Sequence, residues 1–317
     1  MNKILITGGC GFIGSHLSEY IFKKFKKSEI IVYDKMTYAA KKKYLESISK
    51  NKRFKLIKGD INDLRKLIKA SKNVDLLIHV AAESHVDNSF ILSNKFIITN
   101  VLGTSNVMEA CRINKIKKII HVSTDEIYGE IFKGSFKETS SFNPSNPYSS
   151  SKAAAEMIVN GYRHSYKLPI TIVRSNNIYG TRQYPEKLIS GCCLSLIKKR
   201  KFYLHGSGNQ KRTFLHISDF CKAIYKVIIA KKTIGEIYNI GSYEEFRNID
   251  IVKLICEYLK VDFKKNILFT KDRPFNDFRY SVDFSKLEKL SWNPISRFRD
   301  KIPELIEWYK ENKNLFT

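Results

Sequence analysis

Short apolar runs recur along the first half of this chain. Ile4–Thr7, Ile30–Tyr33, Leu76–Val80, Ile119–Val122 and Leu168–Arg174 are rich in Ile, Leu and Val. Such runs read as buried strands, the kind a sheet has when helices cover both faces. Helical stretches lie between them. One is expected from Ser15 to about Lys24, one through Thr99 to about Arg112, and one from Tyr148 to about residue 165. A last amphipathic helix is expected near Ile302–Tyr309. Strand and helix in alternation predict an α/β fold on a doubly wound parallel sheet. The pattern changes after Tyr179: Tyr184-Pro185, Phe202–Gly208 and Asn209–Arg212 are polar and turn-rich.

The strand ends carry the chemistry. Ile4–Thr7 runs into Gly8-Gly9-Cys10-Gly11-Phe12-Ile13-Gly14. Glycines at 8, 11 and 14 between a strand and a helix permit a tight turn and let backbone N–H groups approach a pyrophosphate. Asp34 ends the next strand, 20 residues after Gly14. That is the spacing expected for the acid on an adenosine ribose. A carboxylate there repels a 2′-phosphate, so NAD is expected over NADP, although Lys35 works the other way. Gly8, Gly11, Phe12, Ile13, Gly14 and Asp34 are therefore candidate cofactor contacts on a Rossmann-type domain. Asp60 ends a further strand, where it could equally cap a helix. Ala81 and Ala82 are small enough for the chain to pass beneath a cofactor.

Ile119–Val122 leads into Ser123-Thr124-Asp125-Glu126 just before Tyr128-Gly129. In an open α/β sheet, ligands sit outside the carboxyl ends of the strands. Thr124, Asp125 and Glu126 thus fall where a substrate would lie. Adjacent residues of a regular strand point oppositely, so both carboxylates can face a substrate only if the strand has ended by Thr124. Tyr148 and Lys152 are four apart and share one helix face. An ammonium beside a phenol favours the phenolate, which makes a base near neutral pH. Pro147 before them is a helix start signal.

Tyr148-x-x-x-Lys152 after a dinucleotide-binding half resembles the extended short-chain dehydrogenase/reductases. Thr124-Asp125-Glu126 narrows the resemblance to the nucleotide-diphosphate-glucose 4,6-dehydratases, and it covers nearly the whole chain. It implies a lyase that turns a nucleotide-glucose into its 4-keto-6-deoxy form for deoxysugar synthesis. It implies catalytic roles for Thr124, Asp125, Glu126, Tyr148 and Lys152. It places Lys35, Thr37, Asp60, Ile61 and Thr99 on NAD, together with Ala81, Ala82, Tyr148 and Lys152. It places Ser84 and Thr124 on the sugar, and Asn177, Lys187, Leu188, Arg212, Asn248 and Arg273 on the nucleotide diphosphate. An arginine fork suits phosphate oxygens. Tyr203-Leu204-His205 departs from the Pro-Ile-Tyr common in bacterial dTDP-glucose enzymes. With Arg273-Pro274-Phe275-Asn276-Asp277 it resembles eukaryotic-type UDP-glucose enzymes, so His205 is a candidate on the base side. UDP-glucose is favoured over dTDP-glucose on that ground alone. The resemblance also implies a homodimer through helices near 93–112 and 148–165.

Residues 1–178 are thus expected to form the NAD-binding domain, with segments near 213–240 returning to it. Residues 179–317 are expected to form mainly a smaller sugar-nucleotide domain. Asp219 reads as a helix cap.

Composition narrows the setting. Of 317 residues, 43% are hydrophobic, enough for one large or two modest cores. Cys10, Cys111, Cys192, Cys193, Cys221 and Cys256 lack metal-ligand spacing and read as reduced thiols. His79, His85 and His121 show no ligand clustering and read as structural, so no metal is expected. No signal peptide precedes the first strand, and no apolar run approaches the ~18 residues of a membrane helix. A soluble cytoplasmic protein is expected. The net charge of +25 could draw nucleic acid, but the lysines are spread along the chain without interleaved aromatics. They read as a solvated surface that speeds encounter with an anionic sugar nucleotide. Three other functions fit parts of the pattern. A 4-epimerase needs Tyr148, Lys152 and NAD but no acid–base carboxylates. A UDP-glucuronate decarboxylase needs a pocket for an acidic sugar. A non-catalytic NAD-binding regulator needs no acid–base set at all.

Overall fold

The computed structural model describes residues 1–316. Twelve strands follow in chain order: β1 (Lys3–Thr7), β2 (Glu29–Asp34), β3 (Phe54–Lys58), β4 (Leu76–His79), β5 (Lys118–Thr124), β6 (Ile170–Ser175), β7 (Asn177–Tyr179), β8 (Phe202–His205), β9 (Lys211–His216), β10 (Ile237–Ile240), β11 (Glu245–Arg247) and β12 (Ile267–Thr270). Seven of them form one parallel sheet in the order β10-β6-β5-β4-β1-β2-β3. The order reverses beside β1, so β1 and β4 flank the crevice where an open α/β sheet binds ligands. β4, β5 and β6 are buried throughout, as strands with mostly apolar centres covered on both faces are.

One core fills the face between the sheet and the helices Phe12–Lys24 and Ile217–Ile229, and another the opposite face. A third core, built on Tyr179, Ile189, Ile251, Phe298, Ile306 and Tyr309, belongs to a smaller lobe. That lobe holds a three-stranded sheet, β11-β9-β7, and a two-stranded one, β12-β8. The segment expected to be polar and turn-rich contains β8. Alternate exposure of its four residues hides the strand from a search for apolar runs.

Local differences have physical causes. The first helix begins at Phe12, three residues before Ser15. A Cβ on Gly14 would lie 2.0 Å from Gly8 O, so glycine lets that first turn close against the loop. Asp219 lies inside its helix, which His216 caps. Its carboxylate accepts N–H bonds from Ile295 at 3.0 Å and Ser296 at 2.8 Å, and so anchors the tail. Asp60 is not a cap either: Asp63 caps the helix Leu64–Ala70. Among the described residues, no helix is long and apolar enough to cross a membrane.

Candidate active site

A cavity of about 470 Å³ lies between the carboxyl ends of the central strands and the smaller lobe. Every residue expected above to serve catalysis, cofactor or substrate lines it, with one exception, Asp125.

At one end the loop after β1 meets the start of the helix Phe12–Lys24. Gly11 is the N-cap residue, so no side chain occupies the first-turn N–H groups. A Cβ at Gly11 would meet nothing nearer than Gly8 O at 3.5 Å, an ordinary contact. The protein itself leaves room for a Cβ there, and Gly11 lines the cavity, where a pyrophosphate would need the space. Asp34 accepts from Cys10 N at 2.8 Å and Met36 N at 2.7 Å. A carboxylate has about four lone-pair sites, so two stay open for a ribose diol. Lys35, which weakened the case for NAD, is drawn aside: its Nζ lies 2.7 Å from Asp60 Oδ2. Burial opposes ionisation of Asp60, but the Asn62 N–H and Lys35 hold its carboxyl below the ordinary value. These groups fit a dinucleotide without a 2′-phosphate.

Thr99 reaches the wall from a widened helical stretch, Ile97–Leu102. Asn100, one residue on, holds Glu83 N at 2.8 Å, Glu83 O at 3.0 Å and Ser151 Oγ at 2.9 Å. It ties the loop after β4 to the helix of Tyr148, a role no sequence motif marked.

That helix, Pro147–Ser165, opens with Pro147 and a reciprocal cap between Asn146 and Ser149. Tyr148 and Lys152 share the cavity face, but the ammonium is not spent on the phenol. Lys152 Nζ donates to Val122 O at 2.9 Å, and burial lowers its pKa to about 8. Burial, then the charges of Glu126 and Asp125, push the Tyr148 phenol above its ordinary value, while a Thr124 hydrogen bond pulls it down. The expected phenolate is therefore not favoured by these side chains alone.

β5 ends at Thr124, and a single tight turn, Asp125–Tyr128, follows. This frees the two carboxylates from strand alternation. Glu126 faces the cavity, whereas Asp125 is 1% exposed and sits behind it. Of the two carboxylates expected to face a substrate, Glu126 alone lines the cavity. The Thr124 hydroxyl, 3.3 Å from Asp125 Oδ1, connects that carboxyl to the cavity. Burial and Glu126 raise the Asp125 pKa to about 7 against the pull of Asn176. Glu126 is raised by burial as well, with Lys187 and Arg212 lowering it and Asp277 raising it.

The smaller lobe supplies the other end. Lys187 precedes the helix Leu188–Ile197, and its Nζ donates to the Ser84 carbonyl. Arg212 spends its fork on the loop before Tyr280: Nη2 donates to Asn276 Oδ1 at 3.0 Å and Asp277 O at 2.8 Å. His205 Nδ1 and Asn248 Oδ1 are buried without partners, although both residues line the cavity. Asn177 begins β7, and Leu188 begins its helix. Asp277, which only the tail motif contained, is 2% exposed and accepts from Ser145 at 2.6 Å and from Tyr280. Of the three histidines read as structural, His79 on β4 and His121 on β5 are buried against each other. His85 instead contacts Asp87 at 3.3 Å.

A family profile described as GDP-mannose 4,6 dehydratase matches residues 5–305. A dTDP-D-glucose 4,6-dehydratase of Dictyostelium discoideum is 41% identical over 99% of this chain and 83% of its own length. A trifunctional UDP-glucose 4,6-dehydratase/UDP-4-keto-6-deoxy-D-glucose 3,5-epimerase/UDP-4-keto-L-rhamnose-reductase of Arabidopsis thaliana is 39% identical over 98% of this chain, which spans only 47% of that relative. The crystal structure of the Streptomyces venezuelae dTDP-glucose 4,6-dehydratase DesIV, with NAD bound, superposes with a TM-score of 0.96 at 35% identity, covering 99% of this chain and 98% of that one.

Proposed function

The chain belongs to the GDP-mannose 4,6 dehydratase family, and from that premise we propose that it is an NAD-dependent hydro-lyase that converts a nucleoside-diphosphate glucose into its 4-keto-6-deoxy derivative. One observation carries the proposal. Thr124, Glu126, Tyr148 and Lys152 line the cavity that the glycine loop and Asp34 also line, with Asp125 bonded to Thr124 behind the wall. NAD, when bound, supplies the acceptor and later the donor of a hydride. Its holders are the residues of the glycine loop, Asp34, the loop of Ala81 and Ala82, Thr99, Tyr148 and Lys152.

The residues divide the proton chemistry. Tyr148 withdraws the proton of the sugar 4-hydroxyl, and Thr124 holds that oxygen. The resulting ketone acidifies C-5, so Glu126 removes the C-5 proton. Asp125, kept protonated by burial and by its neighbour, delivers a proton by way of the Thr124 hydroxyl toward the departing 6-hydroxyl. Glu126 then returns a proton to C-5. A 4-epimerase would have no use for the two carboxylates. Incubation with dTDP-glucose and UDP-glucose tests the proposal: recovery of a 4-keto-6-deoxy nucleotide supports it, and an isobaric sugar favours the epimerase.

The smaller lobe, mainly residues 179–317, would carry the nucleotide. Lys187 and Arg273 offer cations to the diphosphate, and the unpartnered His205 Nδ1 and Asn248 Oδ1 offer polar groups to the nucleoside. Two bases remain in play. The Dictyostelium and Streptomyces relatives are dTDP-glucose enzymes, which favours thymidine, while Tyr203-Leu204-His205 favours uridine. A methyl group is worth about 1–3 kcal/mol in a pocket, so comparing kcat/KM for the two nucleotides decides the matter. The exposed Ile97, Ile98, Leu102 and Met157, on the helices expected to form a dimer interface, support a homodimer. Reduced thiols would suit a cytoplasmic enzyme, and all six cysteines are free and buried.

A further inference from the structure

Arg273 reaches the segment that follows β4 and meets Asp87 there. Its Nη2 donates to Asp87 Oδ2 at 3.1 Å, and its Nε lies 2.5 Å from Oδ1 as an ion-pair contact without hydrogen-bond alignment. The two residues are 186 apart in sequence and come from opposite sides of the cavity, which both line. Three residues before Asp87, the Ser84 carbonyl accepts from Lys187 Nζ. The two cations of the smaller lobe assigned above to a diphosphate therefore both rest on the segment 84–87.

An unrestrained arginine has several rotatable bonds, and fixing it on a ligand costs entropy. A carboxylate that grips one edge of the fork removes that freedom beforehand, while the Nη1 edge stays available to phosphate oxygens. Asp87 is suited to this. Burial opposes its ionisation, but the hydrogen bond from His85 and the charge of Arg273 hold its carboxyl well below the ordinary value. It is a carboxylate at neutral pH. His85 contacts the same carboxylate at 3.3 Å, and its other nitrogen lies 3.8 Å from Glu186, which also accepts from Tyr38 at 2.7 Å. His85 thus stands between the Asp87 carboxylate and Glu186, beside the grip on Arg273.

We propose that Asp87 is a positioning residue for substrate binding: reaching across the cavity, it orients the Arg273 guanidinium toward the diphosphate of the nucleotide-sugar. This rests on the nucleotide-sugar function proposed above and deepens it. Asp87 touches no reacting atom, so its loss shows in binding and not in turnover.

The test uses the full chain with its cofactor loaded, and UDP and dTDP as probes in calorimetry. Asp87→Asn keeps the shape and removes the charge. Binding of whichever diphosphate the wild type prefers should weaken tenfold or more, while binding of the matching unphosphorylated nucleoside stays within twofold. With substrate, KM should rise by a similar factor and kcat change less than threefold. Arg273→Ala should weaken diphosphate binding at least as much, and Asp87→Asn added to it should cause no further loss. Unchanged or tighter diphosphate binding by Asp87→Asn, beside a weakened Arg273→Ala, overturns the role of Asp87 alone. If Arg273→Ala itself binds the diphosphate normally, the assignment of Arg273 to the diphosphate fails as well.

Discussion

Asn176 Nδ2 donates to Asp125 Oδ2 at 2.6 Å, where β5 and β6 leave the sheet side by side. Thr124 pairs with Ser175, so the next residue of each strand meets the other's at the floor of the site. The amide favours the ionised carboxylate, yet burial and the charge of Glu126 outweigh it and lift the Asp125 pKa to about 7. A general acid works in its protonated form, so elimination should decline as pH rises through about 7. Asn176→Ala removes a group that lowers this pKa and should move the decline to higher pH. The pH dependence of the elimination step, measured with and without Asn176, checks both. A rate that climbs through pH 7 without a later fall would count against Asp125 as the acid.

The same shift bears on stability. The Asp125 pKa rises from an ordinary 3.8 to about 7 on folding, so between those values the native state holds a proton that the unfolded chain releases. Stability therefore falls as pH rises across that window and stays lower above it. Asp125→Asn lacks the ionisation. It should melt higher than the wild type at pH ~8, with the gap closing toward pH ~4. Thermal melts across this range provide the check, and a gap that grows toward acid pH would reverse the sign.

Glu126→Gln and Tyr148→Phe should fail at different steps. In the proposed mechanism Glu126 removes a carbon-bound proton only after the 4-hydroxyl is oxidised. Its loss should leave the first oxidation intact and slow elimination by about 10²–10⁴-fold. Tyr148→Phe should lose the oxidation itself. Transient absorbance of reduced nicotinamide with bound substrate separates the two. If Glu126→Gln exchanges the C-5 hydrogen at the wild-type rate, Glu126 is not the base.

A buried ion pair holds the helix that carries Tyr148 and Lys152. Arg174 Nε donates to Glu156 Oε1 at 3.0 Å, and Arg174 Nη1 donates to Glu138 O at 2.9 Å and to the Tyr128 hydroxyl. Glu156 is 0% and Arg174 2% exposed. Removing one partner of such a pair leaves a buried charge uncompensated, at a cost of about 3–5 kcal/mol. Glu156→Ala should lose stability on that scale in urea unfolding. A loss under about 1 kcal/mol would mean that Arg174 finds another partner or water.

The sheet could be read in the sequence because β1, β2, β4, β5 and β6 are covered on both faces and so carry apolar runs at their centres. Half-exposed strands such as β8 leave no such mark. The end of β5 at Thr124 was legible as a condition for both carboxylates to face one way. That the following turn sends Asp125 inward depends on Asn176, a contact 51 residues away that no local pattern announces. Asp219 looked like a cap because it stands near a helix start; its true partners, Ile295 and Ser296, lie more than 70 residues on. Lys152 was read by its spacing from Tyr148, but the Val122 carbonyl that holds its ammonium comes from a neighbouring strand.

The most direct test of the account is the mass of the product formed from dTDP-glucose or UDP-glucose in deuterated water. The account predicts a nucleotide-sugar that has lost one water and gained one carbon-bound deuterium, located at C-5 by fragmentation or NMR, because Glu126 returns a solvent-exchanged proton there. A product of unchanged composition, or one that has lost water without deuterium at C-5, would contradict it.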